Sequence, residues 1–204
     1  SITPHNKNDL EKIYADAVEL GANVKASSYM YPSVRVNGGQ FGCGSRLSPE
    51  EAAACSVRWD EIRFTEEEFL ARAQNMKTLT AVQDRECPVE TDEGVRCRAG
   101  STSFWMTWDG RMLPCGMLPH AGVNPLEIGF DGAWDAVRNW TREIRMPEEC
   151  IRCDHKELCA ACAAVTVTET GRFDGVPEYV CRQTKALVHQ TLLAAEERRK
   201  DNAD

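Results

Sequence analysis

Residues 150–162 read CIRCDHKELCAAC, four cysteines in thirteen positions, and Cys181 follows nineteen residues later. Thiols this crowded must be joined to one another or to a shared metal, so the rest of the chain has to fold around them. Ten cysteines among 204 residues fall below the roughly 8–10% of short disulfide-stapled secreted chains. The opening SITPHNKNDLEKIY has neither the basic stretch nor the apolar stretch of a secretion signal. A reducing, cytoplasmic compartment is therefore expected, and there clustered cysteines mean metal or redox chemistry. The chain does not start with Met, and an upstream region is expected to be missing.

Charge removes further classes. There are 24 basic and 32 acidic residues, a net charge of −8, whereas a nucleic-acid partner wants a basic face. No apolar run approaches the roughly 18 residues of a membrane helix. A hydrophobic share of 42% is enough for a core.

The N-terminal third reads as helix and strand. In NDLEKIYADAVEL, Leu10, Ile13, Tyr14, Ala17 and Leu20 keep helical spacing, Asn8 is placed to cap, and Gly21 ends the helix. NVKASSYMY alternates like a strand. Ser48-Pro49-Glu50-Glu51 opens a helix, and Thr65 opens a second. From about residue 86 the texture is polar and cysteine-bearing. Two β-type runs then flank Asp109-Gly110, a hairpin signal. DGAWDAVRNWTREIR is amphipathic, with Trp134, Val137 and Ile144 on one side, and LVHQTLLAAEERRKDNAD is a closing helix with a charged end.

Thiolates suit zinc, copper(I) and iron–sulfur clusters. Two C-x2-C loops, Cys150/Cys153 and Cys159/Cys162, make a single four-thiolate zinc site geometrically possible. That leaves Cys97, Cys115 and Cys181 over, and seven or eight thiols divide more naturally into two four-ligand cages. In two-cluster ferredoxins the last cysteine of a tight run serves the other cluster. By that logic Cys150, Cys153 and Cys159 share a cage closed by Cys181, and Cys162 crosses to join Cys97 and Cys115.

Cys97, twelve residues, Gly110, four residues, Cys115, then C-x2-C-x5-C, Cys162 and Cys181 together resemble the SPASM domain, the auxiliary-cluster module of many radical SAM enzymes. The resemblance covers roughly residues 87–185. Residues 1–36 resemble the closing strands and helices of the radical SAM partial barrel. The family's C-x3-C-x2-C motif is absent; Cys43 and Cys55, with eleven residues between them, cannot supply it.

The resemblance implies an α+β chain: the C-terminal end of a partial α/β barrel (1–85, with linking helices), then a small cysteine-rich SPASM-like domain with a β-hairpin and helices (86–187), then a C-terminal helix and charged tail (188–204). It implies two auxiliary 4Fe–4S clusters that carry electrons or bind substrate while a peptide or protein side chain is modified. S-adenosylmethionine and a third 4Fe–4S cluster belong to the full-length enzyme, whose N-terminal radical SAM region is the missing partner, and this chain alone is expected to be inactive. Some relatives close the second cluster with an extra upstream cysteine, a place that Cys87 fits.

Other residues have competing uses. Phe104, Trp105, Met106 and Trp108 either shield a cluster or fill the hairpin core, and core is the expectation. Sulfatase-maturing relatives carry an Asp after a cluster cysteine; Gly116 stands after Cys115, so that role does not carry over. Asp109, Asp154, His120 and His155 read as loop surface. Asn6 and Asn8 read as caps, against a contact with S-adenosylmethionine, and Arg35 is left between a strand end and a ligand contact. Cys55 reads as a small core residue and Cys43 as a loop thiol. The competing function class is a zinc-stabilised binding module without catalysis.

Overall fold

The computed structural model describes residues 1–31, 45–81, 94–118 and 122–201. Cys43, Cys87, Arg35 and His120 lie outside them.

Eight helices and one short hairpin occur among the described residues. The first helix, α1, spans Leu10–Glu19 and buries Leu10 and Ala17. Its N-cap is Asp9, with no side-chain cap bond, in place of the expected Asn8. Asn6 is spent one turn earlier, where its Oδ1 accepts from the Thr3 N–H at 2.7 Å. Gly21 ends the helix at φ +61. Residues 22–31 form no strand; their recorded tie to the start of the chain is the Ile2 N–H donating to Ser27 O at 2.8 Å. An alternating run makes a ladder only beside another strand, and none lies beside it among the described residues.

Helices α2 (Pro49–Arg63) and α3 (Glu66–Thr80) begin where their caps were legible. Ser48 and Thr65 each accept from the backbone N–H three residues on, and Glu51 and Glu68 reach back to the cap N–H. This reciprocal box satisfies donors that the helix cannot satisfy itself. The hairpin pairs β1 (Trp105–Met106) with β2 (Met112–Leu113), Trp105 opposite Leu113 and Met106 opposite Met112. Gly110 turns it at φ +81, a conformation a side chain would strain. On its other edge Met112 exchanges two backbone bonds with Val123, at 2.7 and 3.0 Å.

There follow α4 (Pro125–Ile128), α5 (Phe130–Glu143), α6 (Glu148–Ile151), α7 (Ala163–Thr170) and the long α8 (Glu178–Asp201). The closing helix thus begins nine residues before the expected Leu187, directly after the buried Pro177.

The core is divided. Ile2, Leu10, Leu47, Ala52, Cys55 and Trp59 form one cluster. Val57, Phe69, Ala73 and Ala195 form another, where α8 lies across α2 and α3. Met112, Ala133 and Val137 join β2 to α5. Leu118, Ile144, Met146, Ala163 and Ala164 form a fourth, with Cys115 and Cys162 packed at its edge. Burying Phe69 alone is worth about 1.5–3 kcal/mol. The hairpin aromatics are not core: both β1 residues face outward and Trp108 is 98% exposed. Met112 and Leu113 of β2 take the inner side instead.

Candidate metal centre

All eight described cysteines are free. Cys55 is buried inside α2 with the first core cluster, as its sequence setting suggested, and burial raises its thiol pKa. The other seven fall into two places.

Cys150, Cys153, Cys159 and Cys181 line one cavity of about 270 Å³. Cys150 is the third residue of α6, Cys153 and Cys159 stand in the turn that follows, and Cys181 reaches in from the first turn of α8. Met146, Val176 and Pro177 give the cavity an apolar wall, and Arg96, His155, Lys156 and Lys185 rim it. His155, expected on the loop surface, is half-buried against the cavity, whereas Asp154 is exposed. Burial pushes the Cys150 thiol up to about 11, and Cys159, Cys153 and Cys181 add to the shift in that order. A thiol whose ionisation its neighbours oppose in this way favours a cationic centre that would take up the negative charge.

The second place gathers Cys97, Cys115 and Cys162 around the Tyr31 hydroxyl. That hydroxyl lies in the field of Cys162, Cys115 and Cys97. Burial first, then these sulfurs, push it up to about 12. Cys162 is the N-cap of α7, and Cys115 follows β2 by two residues. The Trp105 ring lies over Gly116, where a Cβ would come within 3.2 Å of it. A side chain beside Cys115 would therefore have to displace that ring.

One local device recurs at both places. Cys97, Cys115, Cys153 and Cys159 each accept the backbone N–H two residues on, from Ala99, Met117, His155 and Ala161, at 3.4–3.5 Å. Donors aimed at sulfur favour the thiolate form that a metal needs. Thr184, one turn along α8 from Cys181, adds a side-chain donor to Cys159 at 3.5 Å.

Among the described residues no group of three or more His, Cys, Asp or Glu side chains can hold a metal ion as placed. A single zinc ion would need its sulfurs drawn in to about 2.3 Å. A cluster several ångströms across accepts a wider ring of sulfurs. The residues of the four-thiol cavity fit an iron–sulfur group by donor chemistry: four thiols, N–H donors to sulfur, a cationic rim and an apolar wall.

A polar joint lies beside Tyr31. Arg46 and Glu169 pair at 2.9 Å, the Tyr29 O–H donates to Glu169 at 2.6 Å, and Arg46 stacks 3.6 Å from the Tyr179 ring centroid. The Tyr29 and Tyr31 rings meet edge to face, centroids 4.9 Å apart. Glu169 belongs to α7, the helix that Cys162 caps.

Spacing alone did not single out Tyr31, which lies 66 positions before Cys97. Thr184 had a signal, since residues three apart share a helix face and Cys181 was already a candidate.

No protein-family model matches the chain, and no solved structure matches it. An AdoMet-dependent heme synthase of Methanosarcina barkeri (strain Fusaro / DSM 804) is 32% identical over 81 residues. The likeness is to a radical SAM enzyme. It covers 38% of this chain and 23% of the relative, so the chain spans less than a quarter of the protein it matches. No helix among the described residues is long and apolar enough to cross a membrane.

Proposed function

We propose that the chain is the auxiliary-cluster part of a radical SAM/SPASM enzyme and holds two 4Fe–4S clusters. The observation that carries this reading is the cavity on which Cys150, Cys153, Cys159 and Cys181 converge from α6, the turn after it and α8. Those four residues hold the first cluster. Cys97, Cys115 and Cys162, gathered at Tyr31, hold the second, with Cys87 as its fourth ligand.

A 4Fe–4S cluster takes up or releases one electron at a potential set by its ligands, by hydrogen bonds to sulfur and by burial. The chain's own residues set those conditions. The N–H groups of Ala99, Met117, His155 and Ala161 point at the cage sulfurs. Met146, Val176 and Pro177 keep water from one side of the first cavity, and Arg96, Lys156 and Lys185 offset its negative charge. The substrate is a peptide or protein side chain, and S-adenosylmethionine is cleaved by a region outside this sequence, which has no C-x3-C-x2-C motif.

The likeness to a heme synthase favours a second reading of the substrate alone, a tetrapyrrole in place of a peptide, with the same cages.

Anaerobic reconstitution tests the cages: about eight irons per chain, four in each, with broad visible absorbance. A colourless protein that takes up zinc and no iron would overturn them in favour of a zinc-stabilised module. A shift in the visible band of an added metal-free porphyrin separates the two substrate readings.

A further inference from the structure

Helical threonines in this chain share a habit. Thr78, Thr80, Thr141, Thr168 and Thr170 each turn the hydroxyl back to the carbonyl four residues earlier, at 2.6–3.0 Å. Such back-bonding is the local option open to any threonine inside a helix. Thr184 departs from it. It lies within α8 and is only 6% exposed, and its hydroxyl bond leaves the helix for the Cys159 Sγ, 25 positions away in sequence, at 3.5 Å. Cys159 collects a second donor there, the Ala161 N–H at 3.5 Å. Thr184 lines the four-thiol cavity together with Cys159 and Cys181. One turn of α8 therefore supplies a thiol to the cavity and a hydrogen-bond donor to another of its thiols.

We propose that Thr184 is a positioning residue for the first cage: its hydroxyl holds the Cys159 sulfur in place and raises the reduction potential of the cluster. This rests on the reading of that cage above and on no other. The reason is electrostatic. A cluster gains an electron on reduction, and part of the added negative charge lies on the ligand sulfurs. A donor aimed at sulfur then stabilises the reduced form more than the oxidised one. Burial strengthens the effect, because little water competes for the sulfur or screens the donor.

The experiment is a potentiometric titration of the anaerobically reconstituted chain, followed by electron paramagnetic resonance, with Thr184→Val, Thr184→Ala and Thr184→Ser. Thr184→Val keeps the shape and removes the donor, and it moves one midpoint potential negative at unchanged iron content. Thr184→Ala moves the same midpoint in the same direction. Thr184→Ser, which keeps the hydroxyl, holds the parent value. Cys159→Ser identifies the cluster, since the signal it alters is the one whose midpoint Thr184→Val moves. A Ser variant that shifts as far as the Val one, or a shift confined to a signal that Cys159→Ser leaves unchanged, would overturn the assignment. So would loss of iron from both the Val and the Ala variants, which would make Thr184 a support of the fold alone. A parent chain that takes up no iron overturns the cage and the donor with it; a parent with clusters whose midpoints ignore Thr184 overturns the donor alone.

Discussion

The Arg46 guanidinium and the Glu169 carboxylate form an ion pair at 2.9 Å across 123 positions of sequence, with side chains only 8% and 10% exposed. Tyr29 and Tyr179 complete the enclosure, one by donating to Glu169 and the other by stacking under Arg46. Removing one partner leaves a buried charge uncompensated, which costs about 3–5 kcal/mol. Glu169→Ala should lower stability by that amount in urea unfolding followed by circular dichroism. The double variant Arg46→Met, Glu169→Leu should cost less than Glu169→Ala, because no buried charge is left behind.

Gly100 is confined twice. Its φ is +66, and a Cβ there would press into the Thr141 side chain, 2.7 Å from its Cβ. Thr141 cannot swing away freely, since it is buried and its hydroxyl donates to Val137 O at 2.8 Å. Gly100→Ala should cost about 1–3 kcal/mol, read as a lower urea midpoint, whereas Ala at the open Gly171 meets no neighbour and should cost less.

Glu51 links α2 to the start of the chain. Its hydrogen bond from Lys7, and then those from Ser48, lower the carboxyl pKa from 4.5 to about 2. The folded value lies below the unfolded one, so the contribution is present above about pH 4.5 and is lost as pH falls toward 2. Lys7→Met should flatten the fall in stability over that acid window, and also the fall at strongly basic pH where the raised Lys7 pKa would otherwise be crossed, as measured by thermal melts across pH.

Cys43 and Cys55 are predicted to hold no iron. Cys55 is a buried filler of α2 and lies with none of the other described thiols. The double variant Cys43→Ser, Cys55→Ser should keep its full iron content; a loss of about half would place one of them in a cage.

Cys87 is predicted to close the second cage. It stands ten positions before Cys97, and ten residues of loop span a cluster easily at about 3.3–3.6 Å each. Cys87→Ala should change the electron paramagnetic resonance signal of one cluster. An unchanged signal, with both clusters retained, would leave an open iron site for substrate.

Local signals were legible in the sequence and distant ones were not. The caps at Ser48 and Thr65 depend on residues within three positions, and the Asp109-Gly110 turn on two, so both could be read directly. The grouping of Cys150, Cys153 and Cys159 with Cys181 was read from spacing, and those four share a cavity. The outward aromatics of β1 could not be read, because a two-residue strand gives no alternation and the inner side is decided by how β2 meets α5. The same limit applies to residues 23–31: the alternating pattern is present, but a ladder also needs a neighbour. Tyr31 was out of reach for a related reason, since only the folded chain brings it to Cys162.

The position of α8 also constrains how the protein is made. It completes the core of α2 and α3 while carrying Cys181 and Thr184. On the ribosome, residues 49–80 emerge with their apolar faces uncovered and wait for roughly another hundred residues before that helix arrives. Throughout that interval they are a natural client for chaperones. When the helix docks, it brings the last thiol of the first cavity with it, so completion of that cavity and burial of the N-terminal helices become a single late event of biogenesis.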